Sequence, residues 1–495
     1  MLKKNILYII LTLLVFVYKD LNSQSFIGTQ SNYSGSRAIF MNPSLMSTSN
    51  LCYDYSFIGF NLTAYNNYIY MKSSDVKKMA MTMGEYMPKY DVNGKMMDYL
   101  VYSGPNYSQR YLNETLDLNL FSFMYDIDGR QAVGMSLNTR VYTNVSNIPS
   151  EIIESFEGRK GNTSEHQHFE AKKASVTTME WAEIALAYSN TVYELYQTKI
   201  DAGVSLKYLM GYSAAVININ NLGYNRYIGD TMVINNLNAD LAYSLPINYN
   251  EQLSSNAVFD KTLLRGNGLA LDLGFTYTYK SDTRTLKKVR GIYTRPKIDY
   301  IWRFGVSLMD VGFIGFKNNA ADNHYNISSS MYFDVNFFNK MECFDELSTT
   351  LSAICYDGDS LKARVDDRIR VGLPTTLRLQ FDYNIYENYY VNATIIQPIK
   401  LFKYSVKSAP RIMVEPRYES ELFDLGLPIS WYNYDFLRLG ASVRIAFITI
   451  GTEKLGTFLG FGDANGMDVY VSFKFGLGKA RKMGFERYDA CWSSF

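Results

Sequence analysis

The chain's stock of metal ligands and nucleophile partners is small: three histidines, His166, His168 and His324, and four cysteines, Cys52, Cys343, Cys355 and Cys491. Zinc needs such residues in closely spaced sets. His166 and His168 come nearest, but they flank Gln167 in a charged, loop-like segment. No GxSxG, HExxH, GxxxxGK[ST] or strand-to-helix GxGxxG stretch occurs, so no nucleophile, zincin, phosphate or dinucleotide chemistry is indicated. Asp463, Asn465 and Asp468 are spaced as in a calcium loop. Lys474 stands where that loop requires a bidentate glutamate. We expect no enzyme, no metal and no cofactor. Cys343 and Cys355 lie close together in a non-strand stretch and could close a loop in an oxidising compartment; four cysteines allow three pairings.

What remains is charge laid along one side of strands. In residues 269–280, Leu269, Leu271, Leu273, Phe275, Tyr277 and Tyr279 share one face, and Ala270, Asp272, Gly274, Thr276, Thr278 and Lys280 share the other. The same period recurs at 116–125, 133–142, 201–209, 302–310, 376–384, 436–447 and 467–478. Between the first two of these, Asp128-Gly129 supplies a hairpin turn. Several of these strands are about ten residues or longer, the length a tilted strand needs to cross hydrocarbon. With 42 Tyr and 29 Phe the chain can furnish interfacial aromatic belts. The expected fold is all-β: a transmembrane antiparallel barrel of about 14 strands, within 12 to 16. A soluble β-sandwich shares the alternation, but its strands are usually shorter.

Lys3 and Lys4, an apolar run from Ile6 to Val17 and the small residue Ser23 read as a cleavable signal peptide over residues 1–23. Residues 24–50 are expected to form an N-terminal plug, 51–478 the barrel and 479–495 a tail. Mean hydropathy is −0.15, and 49 Lys plus Arg balance 48 Asp plus Glu, which leaves no electrostatic footprint for nucleic acid. The partners expected instead are outer-membrane lipid and a surface or secretion-complex protein. Residues 75–113 and 148–175 are read as long extracellular loops. Strands are hard to place within 214–262 and 316–370.

The plug reading rests on the stretch 31–50, too polar for a lipid-facing strand yet carrying Ile39, Phe40, Met41, Leu45 and Met46. Pro43 should hold Asn42 extended and open a short helical turn. Arg37, Phe40, Asn42 and Pro43 are its candidate residues. From Ser36 to Ser47 the chain resembles barrels of the long-chain fatty-acid transporter type and related barrels attached to type IX secretion, which carry an Asn-Pro motif inside the barrel. The stretches YSGSRAIFMNPS (33–44), GLPTTLRLQFDY (372–383), GTEKLGTFLG (451–460) and MDVYVSFKFGLGK (467–479) resemble more closely an uncharacterised family of outer-membrane barrels from type IX-secreting bacteria. That resemblance implies a barrel in the bacterial outer membrane and assigns no substrate.

The alternation turns Asp201, Lys207, Asp272, Arg303, Arg378, Asp382, Arg438, Arg444 and Lys474 toward the lumen, since a charge facing mid-membrane lipid costs about 2 to 4 kcal/mol. Such mixed charges either line a polar conduit or pair and fill the interior. The first case suits a channel or transporter for a small molecule, apolar ones included. The second suits a non-transporting barrel that anchors partner proteins at the cell surface or in a secretion complex.

Overall fold

The computed structural model describes residues 31–67, 69–72, 102–103, 110–148, 167–226, 231–249, 262–280, 287–289, 292–294, 300–334, 345–420, 422–459 and 464–478. The expected signal peptide and tail, Cys343, and most of the 75–113 stretch lie outside them. Fourteen antiparallel strands close into a barrel. They are β1 (Leu51–Asn66), β2 (Arg110–Asp126), β3 (Gln131–Ile148), β4 (Gln167–Leu195), β5 (Thr198–Arg226), β6 (Gly266–Lys280) and β7 (Tyr300–Phe316). There follow β8 (Thr376–Tyr386), β9 (Tyr389–Pro398) and β10 (Arg411–Glu419). Strand β11 runs as Phe423–Gly426 and Ile429–Tyr432, broken at Pro428, and β12 as Phe436–Leu439 and Ala441–Ile445, broken at Gly440. Finally β13 (Ile448–Thr452) and β14 (Gly466–Gly478) lead back to β1, whose Tyr55 faces Phe475 across the closing seam.

The reason for closure is in the residue faces. On β6, Leu269 is 61% exposed and Asp272 0%; on β12, Leu437 is 77% exposed and Arg438 5%. The outer face is thus apolar and the inner face polar, the reverse of a water-soluble protein, and closure leaves no unpaired strand edge in lipid. Aromatic rings mark one rim: Trp302 stacks on Tyr277 and Tyr279 at 5.3 and 5.7 Å, and Phe447 on Phe475 at 5.1 Å. Trp431 and Tyr434 stand near the other rim. No helix among the described residues is long and apolar enough to cross a membrane.

Short turns at 127–130, 196–197, 387–388 and 446–447 share the end at which β1 begins and β14 finishes. Outer-membrane barrels keep such turns on the periplasmic side, so this end is called lower and the opposite, external end upper.

Two expectations change at the upper end. Residues 167–175, read as loop, belong to β4, and 110–113 belong to β2. The upper half of β5 carries a further strand, Thr231–Ser244, which pairs with Ala320–Ile327 and Met331–Asp334; helix α1 (Asp345–Cys355) packs on this external sheet. These strands carry polar residues such as Asn218, Asn220 and Asn238 among their apolar ones, as suits strands above the lipid, and Asn220 donates to Asn238 at 2.8 Å. Their alternation is therefore invisible to hydropathy. Strand β2 holds a third surprise: Leu116, Leu118 and Phe123 cannot share a face under strict alternation, and a bulge between Asn119 and Phe121 reconciles them.

Candidate functional site

The lumen is filled in three tiers. The lowest is residues 31–50, which lie inside the ring of strands. Asn42 is extended (φ −161°, ψ 105°) and Pro43–Leu45 form one 3-10 turn, with the Asn42 side chain accepting from the Ser44 N–H at 3.1 Å. The Asn42 amide donates to Gln380 of β8 at 3.2 Å and to the Phe275 carbonyl of β6 at 3.3 Å. Ser44 meets Thr276 at 2.6 Å, Ser47 donates to Asp201 at 2.9 Å, and Ser189 donates to Ser47 at 2.7 Å. Ser307 donates to the Met41 carbonyl at 2.7 Å, and Arg378 donates to the Phe40 carbonyl.

On the opposite wall, Arg37 donates to Thr449 at 3.2 Å and to Ser472. Lys474 donates to the Ser34 carbonyl at 2.8 Å, the Ser36 N–H donates to Asp54, and the Asn32 amide donates to Glu419 at 2.8 Å. The segment thus bridges the lumen from the β13–β14–β1 wall to the β4–β8 wall.

Its close seat depends on missing side chains. A Cβ on Gly203 would overlap the backbone of Pro43 and Ser44, and one on Gly274 would overlap the Asn42 amide and the Pro43 ring. Gly203 and Gly274 are register partners on β5 and β6. Beside this seat a cavity of about 10 Å³, lined by Leu45, Thr276, Arg303, Gly305, Gln380 and Asp382, is no larger than one water requires.

The middle tier is ionic. Asp310 accepts from Arg140 at 3.0 and 3.1 Å and from Lys207 at 2.6 Å, and Lys207 also meets Asp272 at 2.8 Å. Arg140 reaches Asp117 at 3.0 Å and Glu183 at 3.5 Å while lying over the Tyr142 and Trp181 rings. Beside the segment's seat, nearer the lower end, Asp382 accepts from Arg303 at 3.1 Å, Arg417 at 2.9 Å and the Tyr300 hydroxyl at 2.6 Å. Charges this deep persist only when paired and hydrogen-bonded.

The nine residues expected to face inward are placed as follows. Asp201 and Lys474 hold the N-terminal segment. Lys207 and Asp272 belong to the ionic tier, Arg303 and Asp382 pair beside the segment's seat, and Arg378 bonds both Thr376 and the segment. Arg444 pairs with Asp424 near the lower end, its guanidinium 5.4 Å from the Tyr33 ring. Arg438 lies 3.4 Å from the Tyr432 ring centre and 4.7 Å from that of Tyr65, with Glu453 4.0 Å away. Cys355, at the end of α1, is a free thiol.

Sequence reading missed Asp310 for a specific reason. Alternation from Arg303 through Gly305 and Ser307 turns Asp310 outward, but a bulge between Leu308 and Val311, with Asp310 at φ +58°, turns it in. Glu183, Arg417 and Glu419 were also unassigned, although each sits on the buried phase of its own strand; Glu453, buried as well, follows the end of β13.

The upper tier is apolar. Tyr142, Trp181, Leu209, Ile314 and Phe316 point inward from β3, β4, β5 and β7 and form one cluster with Tyr404 and Val406. The last two belong to the connection 399–410 between β9 and β10, which crosses the lumen as a strap. Its far side is pinned where the Asn144 side chain donates to the Lys407 carbonyl at 2.9 Å and accepts its N–H at 2.7 Å. The Tyr404 hydroxyl donates to Asp322 at 2.8 Å. Among the described residues no group of three His, Cys, Asp or Glu could hold a metal ion.

A closed ring of lipid-facing strands with a polar, occupied lumen defines a β-barrel protein of the bacterial outer membrane. Within that class the chain belongs to the Family of unknown function DUF5723, matched over residues 43–453. Among curated proteins none matches. Solved structures with similar architecture include a TodX monoaromatic hydrocarbon channel mutant (10% identity, TM-score 0.39, covering 90% of this chain and 95% of that one). The Pseudomonas putida toluene transporter TodX (10%, 0.29, 92% and 98%) and the Escherichia coli outer membrane protease OmpT (6%, 0.20, 86% and 96%) are others. At such identities these likenesses do not decide function.

Proposed function

We propose that the protein is an outer-membrane channel for a small molecule, with residues 31–50 as the plug that closes its lower half. The carrying observation is the seat of that segment. It occupies the lumen through side-chain and carbonyl hydrogen bonds, outside the β-ladder, against glycines that leave it room. The polar groups on both sides of that contact can turn to water when the segment leaves, while its Ile39, Leu45 and Met46 give up an apolar cluster with Met124, Ala132, Ala185 and Ala187. The apolar upper tier favours apolar cargo.

The test is single-channel conductance of the refolded protein in a planar bilayer, beside a variant lacking residues 24–50. Silence from the intact protein and steps from the deletion are expected. Silence from both, with heat-modifiable migration showing a folded barrel, would contradict the channel reading.

A second reading draws on the external sheet. Strands β4 and β5, 29 residues each, outrun the roughly ten residues that hydrocarbon requires, and the surplus carries three more strands and a helix. Such a platform suits a barrel that holds a partner protein at the surface, or in a secretion complex of the type IX kind suggested by the sequence resemblance.

A further inference from the structure

The strap 399–410 sits where a ligand would. A barrel lumen is ordinarily polar. Here the inward faces of β3, β4, β5 and β7 turn apolar between the ionic tier and the external mouth, separately from the apolar patch under the N-terminal segment, and Tyr404 and Val406 of the strap pack on this upper patch beside Ile369, Val371 and Leu373. The walls are aromatic on one side, with Tyr142 and Trp181 ring centres 5.4 Å apart, and aliphatic on the other, with Leu209 and Ile314. The floor is the Arg140 guanidinium, held against both rings by Asp310 and Asp117.

The strap is lightly attached. It joins the sheet through a two-residue parallel pairing, Val371 with Tyr404 and Gly372 with Ser405, in a barrel otherwise antiparallel. Asn144, Asp322 and Asp240 supply side-chain anchors, the last through Lys403 at 3.1 Å. None of these contacts contributes to the barrel wall.

We propose that the space filled by Tyr404 and Val406 is a binding chamber for a small aromatic molecule arriving from outside, and that the strap is its displaceable occupant. This deepens the channel reading and rests on it for the ligand's onward path, but binding in the chamber requires no passage through the barrel. The ligand replaces the phenol and isopropyl groups against the same walls, so the apolar area covered is conserved. Release of the Asn144 and Asp322 anchors lets water take over those hydrogen bonds at the mouth.

Trp181 reports on the chamber directly. In a protein whose Trp302, Trp431 and Trp492 are replaced by Phe and whose cysteines are replaced by Ser, bromobenzene should quench Trp181 with a saturable component in detergent. Asn144→Ala lowers the cost of opening and should tighten that component about threefold or more. An Asn144→Cys/Lys407→Cys pair, once oxidised, should abolish it, and reduction should restore it in the same sample, which controls for folding. Quenching that rises linearly with bromobenzene and is equal in all states, or a saturable signal that survives the oxidised lock, would overturn the proposal. Saturable binding without conductance from the plug deletion would spare the chamber and sink the channel. Conductance without binding would do the opposite.

Discussion

The two ends of the lumen are closed by different chemistry. Below, residues 31–50 meet the wall largely through hydrogen bonds and glycine contacts, Asn42 to Gln380, Ser47 to Asp201 and Pro43 on Gly203 and Gly274, beside a smaller apolar cluster of Ile39, Leu45 and Met46 with Met124, Ala132, Ala185 and Ala187. Above, the strap meets it by burying Tyr404 and Val406 against Trp181, Leu209 and Ile314. A polar closure is nearly neutral to replace by water, because each group exchanges one partner for another, whereas an apolar closure exposes its seat unless something apolar takes its place. The hydrogen-bonded part of the lower closure can thus be taken over by water, and only its smaller apolar cluster is given up if it leaves as a unit. The upper one is suited to be exchanged for a ligand. Between them, the Arg140–Asp310–Lys207–Asp272 group holds the walls and belongs to neither.

That division can be broken or sharpened by substitution. The largest effect is expected in the middle tier. Asp310→Asn removes the shared partner of Arg140 and Lys207 and should lower stability by about 3 to 5 kcal/mol, read from the urea midpoint of folding into vesicles. Unchanged stability would mean the tier is hydrated rather than structural. Next, Gly274→Val pushes a side chain into the seat of Asn42 and Pro43. Overpacking of about 1 to 3 kcal/mol should appear as channel openings in the full-length protein, silent otherwise. The same substitution at Gly315, where an added Cβ would meet only the Asn267 carbonyl at 3.9 Å, provides the comparison and should leave conductance silent.

A smaller effect is expected from the strap: Asn144→Ala removes two hydrogen bonds at Lys407, about 0.5 to 1.5 kcal/mol each. It should raise protease cleavage within 399–410 several-fold while the barrel core stays resistant. The smallest concerns the external sheet, which anchors the strap at Asp322 and Asp240 and stands apart from the lower closure. Burial pushes the Cys355 thiol up to about 11. Its thiolate fraction, and so its alkylation rate, should climb about tenfold per pH unit from pH 8 to 10, equally in the intact protein and the plug deletion. A different pH profile in the deletion would couple the external sheet to the lower closure.

The wall was more legible in the sequence than its contents. Strict alternation in 269–280 fixes which residues of β6 meet lipid, and the Asn-Pro step at 42–43 foretells an extended residue followed by a short turn. Bulges hid what they re-aim: one turns Asp310 inward and another brings Phe123 to the outer face with Leu116 and Leu118. The pairing of Lys207 with Asp310, and the meeting of Ser47 with Asp201, arise from barrel closure and from the placement of an inserted segment, which local pattern does not encode. The strap sequence LFKYSVKSAP mixes charge with apolar residues and reads as an ordinary loop. Its role comes from where Asn144 and Asp322 hold it.

The most direct test of two closures in series combines them in one molecule: planar-bilayer conductance of the variant lacking residues 24–50 and carrying the Asn144→Cys/Lys407→Cys pair, in the cysteine-replaced background. The account predicts silence while the strap is locked by oxidation and channel steps after reduction in the same membrane. Steps that persist in the locked state would take the strap off the path. Silence after reduction, from a barrel shown to be folded, would contradict the plug itself.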